Sequence, residues 1–261
     1  MANRTKALSV HGYPSHLPTA GLLMDEEASV RSASLVGGVG LLLLSALAVF
    51  GVFVAVEGLV THGDARQTAQ DIMAAQGLFR LGIVSLFLVV ALDVVVAWAL
   101  YRVFSPVNDA ISVLAGWLRL VYAGIFMVAI SQLAGALRLL GEGSSLGVFS
   151  ADQLEAQALF RIQAFTDVYD AGLVLFGLHL IVIGYLAYRS TYVPKVLGVL
   201  LGIAGIGYMF DSFAAALGVP TNVGAFTFLG EFLLALWLVI QGRRIAGGPS
   251  GPQEDPIAVG R

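Results

Sequence analysis

Long apolar runs fill most of the chain, and short polar stretches separate them. A transmembrane helix needs about 20 predominantly apolar residues to cross the hydrocarbon core of a bilayer. Six runs reach that length, and the pattern therefore predicts an all-α polytopic membrane protein, a bundle of six transmembrane helices. The runs lie at roughly 34–60, 77–102, 107–131, 165–189, 195–217 and 222–243.

Prolines and small polar residues predict where these helices begin. In "FSPVN", Pro106 is expected at the first helical position of the third helix, with Ser105 as its N-cap. In "STYVPK", Pro194 is expected to start the fifth helix in the same way. The stretch "LGVPTN" separates the fifth helix from the sixth.

Helical patterns also continue beyond the bilayer on one side of the predicted bundle. The third helix keeps an apolar pattern to Leu140, and "SADQ" is typical of a capping box that starts the fourth helix near Ser150. The loop "HGDARQTAQDIMAAQ" is expected to form a further short helix. We therefore expect an extracellular amphipathic helical cap. Its apolar stripe on the fourth helix consists of Leu154, Ala158, Ile162 and Phe165.

The pattern divides the chain into three regions. Residues 1–32 form a polar N-terminal tail, residues 33–245 the six-helix transmembrane domain, and residues 246–261 a Pro/Gly-rich tail expected to be disordered. The first apolar run is too long for a cleaved signal peptide. Lys and Arg favour cytoplasmic termini in the plasma membrane, because that orientation places eight basic residues inside and four outside. The inner set is Arg4, Lys6, Arg31, Arg102, Arg189, Lys195, Arg243 and Arg244, and the outer set is Arg66, Arg80, Arg138 and Arg161.

Composition supports the membrane assignment and narrows the partners. The chain is 58% hydrophobic and 12% charged, whereas a soluble domain is about one quarter charged. Its net charge of −3 argues against nucleic acid, which requires a basic surface. It has no cysteine, which excludes disulfides and thiolate metal sites. The expected partners are membrane lipids and a small or lipid-like ligand.

Several ionisable side chains lie inside the predicted membrane helices, where an uncompensated charge costs several kcal/mol or more. Asp93, Arg119 and His179 are expected near one level, about 13 to 18 Å from the inner helix ends. Glu231 approaches that level from the other side. With Tyr122, Tyr208 and Asp211, these residues are the candidates for ligand binding or a proton relay. Glu57, Arg80 and Asp170 are candidates for an outer vestibule.

Helix connectivity predicts the pairing within this set. The short loop between the second and third helices makes them neighbours, so Asp93 is expected to pair with Arg119. Asp170 and His179 are nine residues apart, about 180° around one helix, so they face opposite sides. His179 is therefore expected to join the Asp93–Arg119 pair or to bond across a helix contact. The pair is interpreted either as a functional site or as a structural ion pair that fixes helix register.

The candidate residues are more typical of a binding site than of a catalytic site, and both functions stay open. One histidine in the membrane is too few for a zinc site, which usually takes three protein ligands, so no metal or cofactor is expected. The chain has no phosphate-binding loop and no nucleophile-elbow motif. A carboxyl group in an apolar site can still carry a proton. Three hypotheses follow: a binding or transport protein, which can be proton-coupled; an intramembrane acid–base enzyme of the cyclase or isomerase type acting on a lipid-like substrate; and a membrane protein whose polar core is structural.

The chain resembles a known family in three stretches. These are "LFRLGIVSLFLVVALDVVVAWALYRVFSPVN", "LRLVYA" and "FGLHLIVIGYLAYRSTYVPKVLGVLLGIAGIGYMFDS". They are similar to the prokaryotic membrane proteins of domain-of-unknown-function family 4386, over roughly residues 34–243. The resemblance implies the membrane fold and no particular reaction. The chain departs from the family pattern at Ser85-Leu86, where a Ser-Asp pair is expected. The family positions are matched at Arg80, Asp93, Arg119, His179, Tyr185, Arg189, Pro194 and Asp211.

Overall fold

The structure is a computed structural model that describes residues 19–141, 148–219, 221, 223 and 229–242, with side chains from residue 30 onward. Seven α-helices account for nearly all of these residues. They are α1 (Thr19–Val49), α2 (Ala65–Ala74), α3 (Gln76–Phe104), α4 (Asp109–Leu140), α5 (Ala151–Arg189), α6 (Lys195–Ala216) and α7 (Leu229–Ile240). A π-helical turn, Phe50–Val54, continues α1, and a short 3₁₀ helix spans Glu57–Leu59. No strand occurs among these residues.

Five of the helical segments are long and apolar enough to cross a membrane, and they confirm a polytopic helical membrane protein. They are Val30–Leu59, Gln76–Phe104, Asp109–Leu140, Ala151–Arg189 and Lys195–Ala216. The predicted sixth span, 222–243, is not confirmed. Its described part is α7, whose 12 residues extend only about 18 Å, less than the ~30 Å of a hydrocarbon core. Residues 222, 224–228 and 243 lie outside the described residues.

Six helices form a closed ring around the polar centre. α1 packs on α3, α3 on α4, α4 on α5, α5 on α6, α6 on α7, and α7 returns to α1. Each helix therefore presents one face to its neighbours and the interior, while exposed residues such as Leu81, Trp117 and Phe210 cover the outside. This arrangement is expected for a bundle in lipid, where the outer surface can stay apolar.

Close backbone contact fixes the packing of α5 against α6. Gly177 lies against Gly205, and Gly184 lies against Gly198 and the backbone of Gly202. A Cβ atom on Gly184 would approach the Gly198 carbonyl oxygen to 2.6 Å. Small residues permit such approaches in membrane bundles. The four-residue spacing of Gly198 and Gly202 predicts such a close helix contact, and the structure confirms it at Gly198. This packing brings His179 on α5 near the centre of the ring.

The predicted cap consists of α2 and the first turns of α5. Ser150 and Gln153 form the predicted capping box, and the stripe residues Ala158 and Ile162 are buried. α2 packs on α5, and an exposed ion pair joins Arg66 Nη2 to Asp152 Oδ1 at 2.8 Å. This hydrogen bond raises the pKa of Arg66, which stays positively charged.

Two helix starts differ from the predictions. Ser105 still has helical backbone angles and closes α3, so Pro106 lies in the turn and does not begin α4. Asn108 has an extended backbone and caps α4, because its side-chain oxygen accepts the Ile111 N–H at 3.0 Å. At α6, Pro194 is the N-cap and Lys195 the first helical residue, one position later than predicted.

The structure describes part of the N-terminal region and none of the C-terminal tail. α1 begins at Thr19, within the stretch expected to be a polar tail. Residues 1–18, the C-terminal tail 246–261 and the basic residues Arg4, Lys6, Arg243 and Arg244 lie outside the described residues.

Candidate functional site

Asp93 and Arg119 form a buried ion pair between α3 and α4. Arg119 Nη2 lies 2.6 Å from Asp93 Oδ1, and both side chains are at least 98% buried. The opposite charges of the two groups attract strongly at this distance in an apolar interior. The predicted pairing is therefore present. Removing one member of such a pair would leave an uncompensated charge in an apolar interior.

His179 on α5 completes this buried group. Its Nδ1 lies 2.8 Å from the Ala115 carbonyl oxygen, and its Nε2 lies 3.3 Å from Arg119 Nη1. A carbonyl only accepts and a guanidinium only donates, so Nδ1 must carry the proton and Nε2 must accept. His179 is therefore a neutral imidazole that bridges α4 and α5. This placement agrees with the expected association of His179 with the Asp93–Arg119 pair.

One aromatic ring contacts the buried cation, and two tyrosines pack against that ring. The Phe176 ring lies under the Arg119 guanidinium, with 5.4 Å from Cζ to the ring centroid. Tyr122 packs against Phe176 with centroids 4.7 Å apart, and Tyr208 meets the same ring edge-on at 5.7 Å. Such rings attract a cation through their negatively charged faces. They extend the cluster from α4 and α5 to α6.

Glu231 adds a second carboxyl group from α7. It lies close enough for its charge to interact with Arg119 and Asp93, and it reaches the Tyr208 side chain. The cluster thus receives side chains from five successive helices of the ring. We use the name central cluster for Asp93, Arg119, Tyr122, His179, Tyr208 and Glu231.

Asp211 and Asp170 lie apart from the buried group and near each other. Their charges interact, and Asp167 adds a third carboxylate. Asp211 Oδ1 accepts the Val223 N–H at 2.9 Å, which ties α6 to the segment before α7. Asp170 and Asp211 are both partly exposed, whereas Asp93 and Arg119 are buried.

Glu57 and Arg80 are not part of the central cluster. Glu57 lies in the short 3₁₀ helix after α1, and Arg80 lies in the second turn of α3. Both side chains are exposed. Their vestibule role therefore remains a prediction from the sequence.

Sequence reasoning missed two aromatic contributors, Phe176 and Tyr169. Tyr169 reaches the Tyr122 side chain and packs on Phe126, with ring centroids 5.3 Å apart. The available signal was the i, i+4 pair Phe165 and Tyr169 opposite the pair Tyr122 and Phe126, because residues four apart share a helix face. In an apolar chain that signal is weak, since aromatic residues also fill ordinary cores.

The chemistry available to the central cluster is ionic and acid–base. Within the described ranges, no three His, Asp or Glu side chains come together as a metal site. Arg119 is the single Lys or Arg of the central cluster, and Asp93 and Glu231 are its two carboxyl groups. The cluster therefore has one more acidic group than basic groups.

Comparison with known proteins places the chain in a family. The model for a domain of unknown function, DUF4386, matches residues 36–242. The chain belongs to this family. An uncharacterized protein of Archaeoglobus fulgidus is 37% identical over 170 residues, which are 65% of this chain and 89% of that relative. No solved structure matches the chain. Membership in the DUF4386 family confirms the resemblance seen in the sequence and supports the membrane assignment, without naming a ligand or a reaction.

Proposed function

We propose that this membrane protein binds or transports a small or lipid-like ligand at the central cluster, and that Glu231 exchanges a proton or meets a cationic group of the ligand. The observation that carries the proposal is the charge imbalance of the cluster. Two carboxyl groups share one guanidinium in an apolar bundle. An uncompensated charge there costs several kcal/mol, so the second carboxyl needs a proton or a positive partner.

The burial gradient supports a site that opens toward the cap side. Asp93, Arg119 and His179 are buried, whereas Tyr208 and Glu231 are half-buried. Asp170 and Asp211 continue the acidic side chains toward the surface. A ligand arriving from that side would meet Glu231 and Tyr208 before the buried ion pair.

The orientation of the site in the membrane is also a proposal. The excess of Lys and Arg at the predicted inner side favours cytoplasmic termini in the plasma membrane, with the cap outside. The site would then open to the extracellular side. Membrane lipids would be the surrounding partner, and nucleic acid would not bind.

Identification of copurifying molecules tests the proposal. The protein is purified in detergent, bound small molecules are identified by mass spectrometry, and each is added back in a thermal-melting assay. We expect at least one compound to raise the melting temperature of the wild-type protein and of the cap variant Glu155→Gln. Glu231→Gln should lose that shift while keeping its fold. If no compound copurifies and none shifts the wild-type protein, the binding proposal is wrong.

A structural role for the cluster has one observation in its favour. Asp93, Arg119 and His179 contact one another across α3, α4 and α5, as a group that only fixes helix register would. In that case Glu231→Gln would leave every ligand response unchanged, and only variants of the buried pair would affect the protein through stability.

A further inference from the structure

A lipid-facing groove lies between α3 and α4 on the outside of the ring. Its volume is about 300 Å³. Ala97 and Gly116 form the floor where the two helices meet, and the floor leaves open space because a Cβ atom on Gly116 would meet no atom within 4 Å. The walls include Trp98 and Tyr101 from α3 and Trp117 and Leu120 from α4.

The groove is polar at one end and apolar along the rest of its length. At the α3–α4 turn, the Tyr101 hydroxyl donates to Asp109 Oδ1 at 3.0 Å. From Tyr101 to Val94 the groove follows α3 for seven residues, about 10 Å. One leaflet contributes about 15 Å of hydrocarbon. The groove therefore lies within one leaflet, with its polar end where lipid headgroups begin.

The width of the groove fits a single hydrocarbon chain better than an α-helix. A volume of about 300 Å³ spread over about 10 Å gives a mean cross-section of about 30 Å². An α-helix with side chains is at least about 10 Å wide, a cross-section of about 80 Å². The backbone of a helix from a second protein is too wide to enter the groove and would rest on the exposed rings of Trp98 and Trp117. A single hydrocarbon chain is narrow enough to reach Gly116.

We propose that this groove binds one acyl chain of a membrane lipid. The chain lies between the two tryptophan rings over Gly116, and the headgroup lies beside Tyr101 and Asp109. Trp98 and Trp117 are 52% and 66% exposed, so both rings can contact the bound chain and the bulk lipid. The proposal does not depend on the role of the central cluster, because Asp93 and Arg119 are buried inside the ring whereas Trp98 and Trp117 face outward.

Fluorescence quenching by brominated lipid tests the site. Delipidated full-length protein in detergent micelles is titrated with phosphatidylcholine that carries brominated acyl chains, and tryptophan emission is recorded. A built site should give a saturable component at low lipid fraction, above the linear quenching that random contact produces. Trp98→Phe and Trp117→Phe should each reduce that component. Trp237→Phe on α7 should leave it unchanged.

Two glycines of α4 supply the matched comparison. A side chain is tolerated at Gly116 and at Gly124, because a Cβ atom on either would meet no atom within 4 Å. Gly116→Leu should abolish the saturable component, whereas Gly124→Leu should retain it, and both variants should melt near the wild-type temperature. If Gly116→Leu has a melting temperature well below that of the wild-type protein, the quenching titration is made with Gly116→Ala instead. That variant should show a weaker but still saturable quenching component.

Three outcomes would overturn the proposal. The first is wild-type quenching that rises only linearly with lipid fraction. The second is a saturable component that survives Gly116→Leu. The third is a wild-type dimer that Gly116→Leu converts to monomer without any change in quenching, which would assign the groove to a second copy of the chain.

Discussion

At the scale of single residues, Arg119 organises the polar centre. Its guanidinium contacts Asp93 on α3 and His179 on α5 and lies over Phe176. The donors of Arg119 also determine the protonation of His179, because the imidazole must accept at Nε2. A histidine that looked isolated in an apolar run is thus held as a neutral bridge between two helices.

The charge count predicts unequal effects of removing the two members of the ion pair. Arg119→Leu leaves Asp93 and Glu231 without a cation, so we expect it to lower the free energy of unfolding by about 3–5 kcal/mol. Asp93→Asn should cost less, because Glu231 remains as a counter-charge near Arg119. Reversible unfolding in mixed micelles measures both changes.

Glu231→Gln supplies the comparison for this prediction. The double variant Asp93→Asn with Glu231→Gln leaves Arg119 with no carboxylate in the cluster, so its cost should exceed the sum of the single costs. Simple additivity, or Asp93→Asn costing more than Arg119→Leu, would show that Glu231 does not act as a counter-charge.

At the scale of helices, glycine positions permit the close contact between α5 and α6. Gly198 and Gly202 belong to the same helix, yet they differ in their surroundings. A Cβ atom on Gly198 would approach the Gly184 carbonyl oxygen and the Tyr188 nitrogen to 2.6 Å, and one on Gly202 would meet no atom within 4 Å. Sequence spacing alone assigns both to packing.

Alanine substitutions distinguish these two glycines. Gly198→Ala should lower the melting temperature clearly, because the backbones of α5 and α6 must separate. Gly202→Ala should be neutral or stabilising, since alanine favours a helix over glycine by about 1 kcal/mol. Thermal melting in detergent measures both changes. Equal destabilisation by the two substitutions would mean that the tight contact at Gly198 does not control this packing.

The sequence predicted the helices better than their ends and their neighbours. Apolar runs located α3 to α6, because lipid exposure and core burial both require apolar residues. The N-cap moved from Ser105 to Asn108, since Ser105 can continue α3 and the local pattern does not show which polar residue closes the turn. The sequence did not identify Phe176 as a site residue, because its role depends on a contact with Arg119 on another helix. No spacing rule within one helix predicts that contact.

At the scale of the whole molecule, the ring of helices explains why distant positions converge. Asp93 and Glu231 are 138 residues apart in the chain, and ring closure through α7 and α1 brings both carboxyl groups near Arg119. α5 extends the ring on one side. Its 39 residues span about 58 Å, whereas a bilayer with headgroups is about 40–45 Å thick. The start of α5 must therefore project from the membrane, where α2 and Arg66 cover it.

The side of the membrane occupied by this projection is the last prediction. Arg31, Arg102, Arg189 and Lys195 on one side balance Arg66, Arg80, Arg138 and Arg161 on the other, so the expected orientation depends on the four basic residues of the two tails. The chain has no cysteine, which makes single-cysteine labelling direct. In intact cells, a membrane-impermeant maleimide should label Ala156→Cys in the cap and spare Thr191→Cys in the α5–α6 turn. Permeabilised cells should show both labelled, and the unsubstituted chain should remain unlabelled throughout. The reverse pattern in intact cells would place the cap, with Asp170 and Asp211, on the cytoplasmic side. It would also show that the basic residues of the tails do not set the topology.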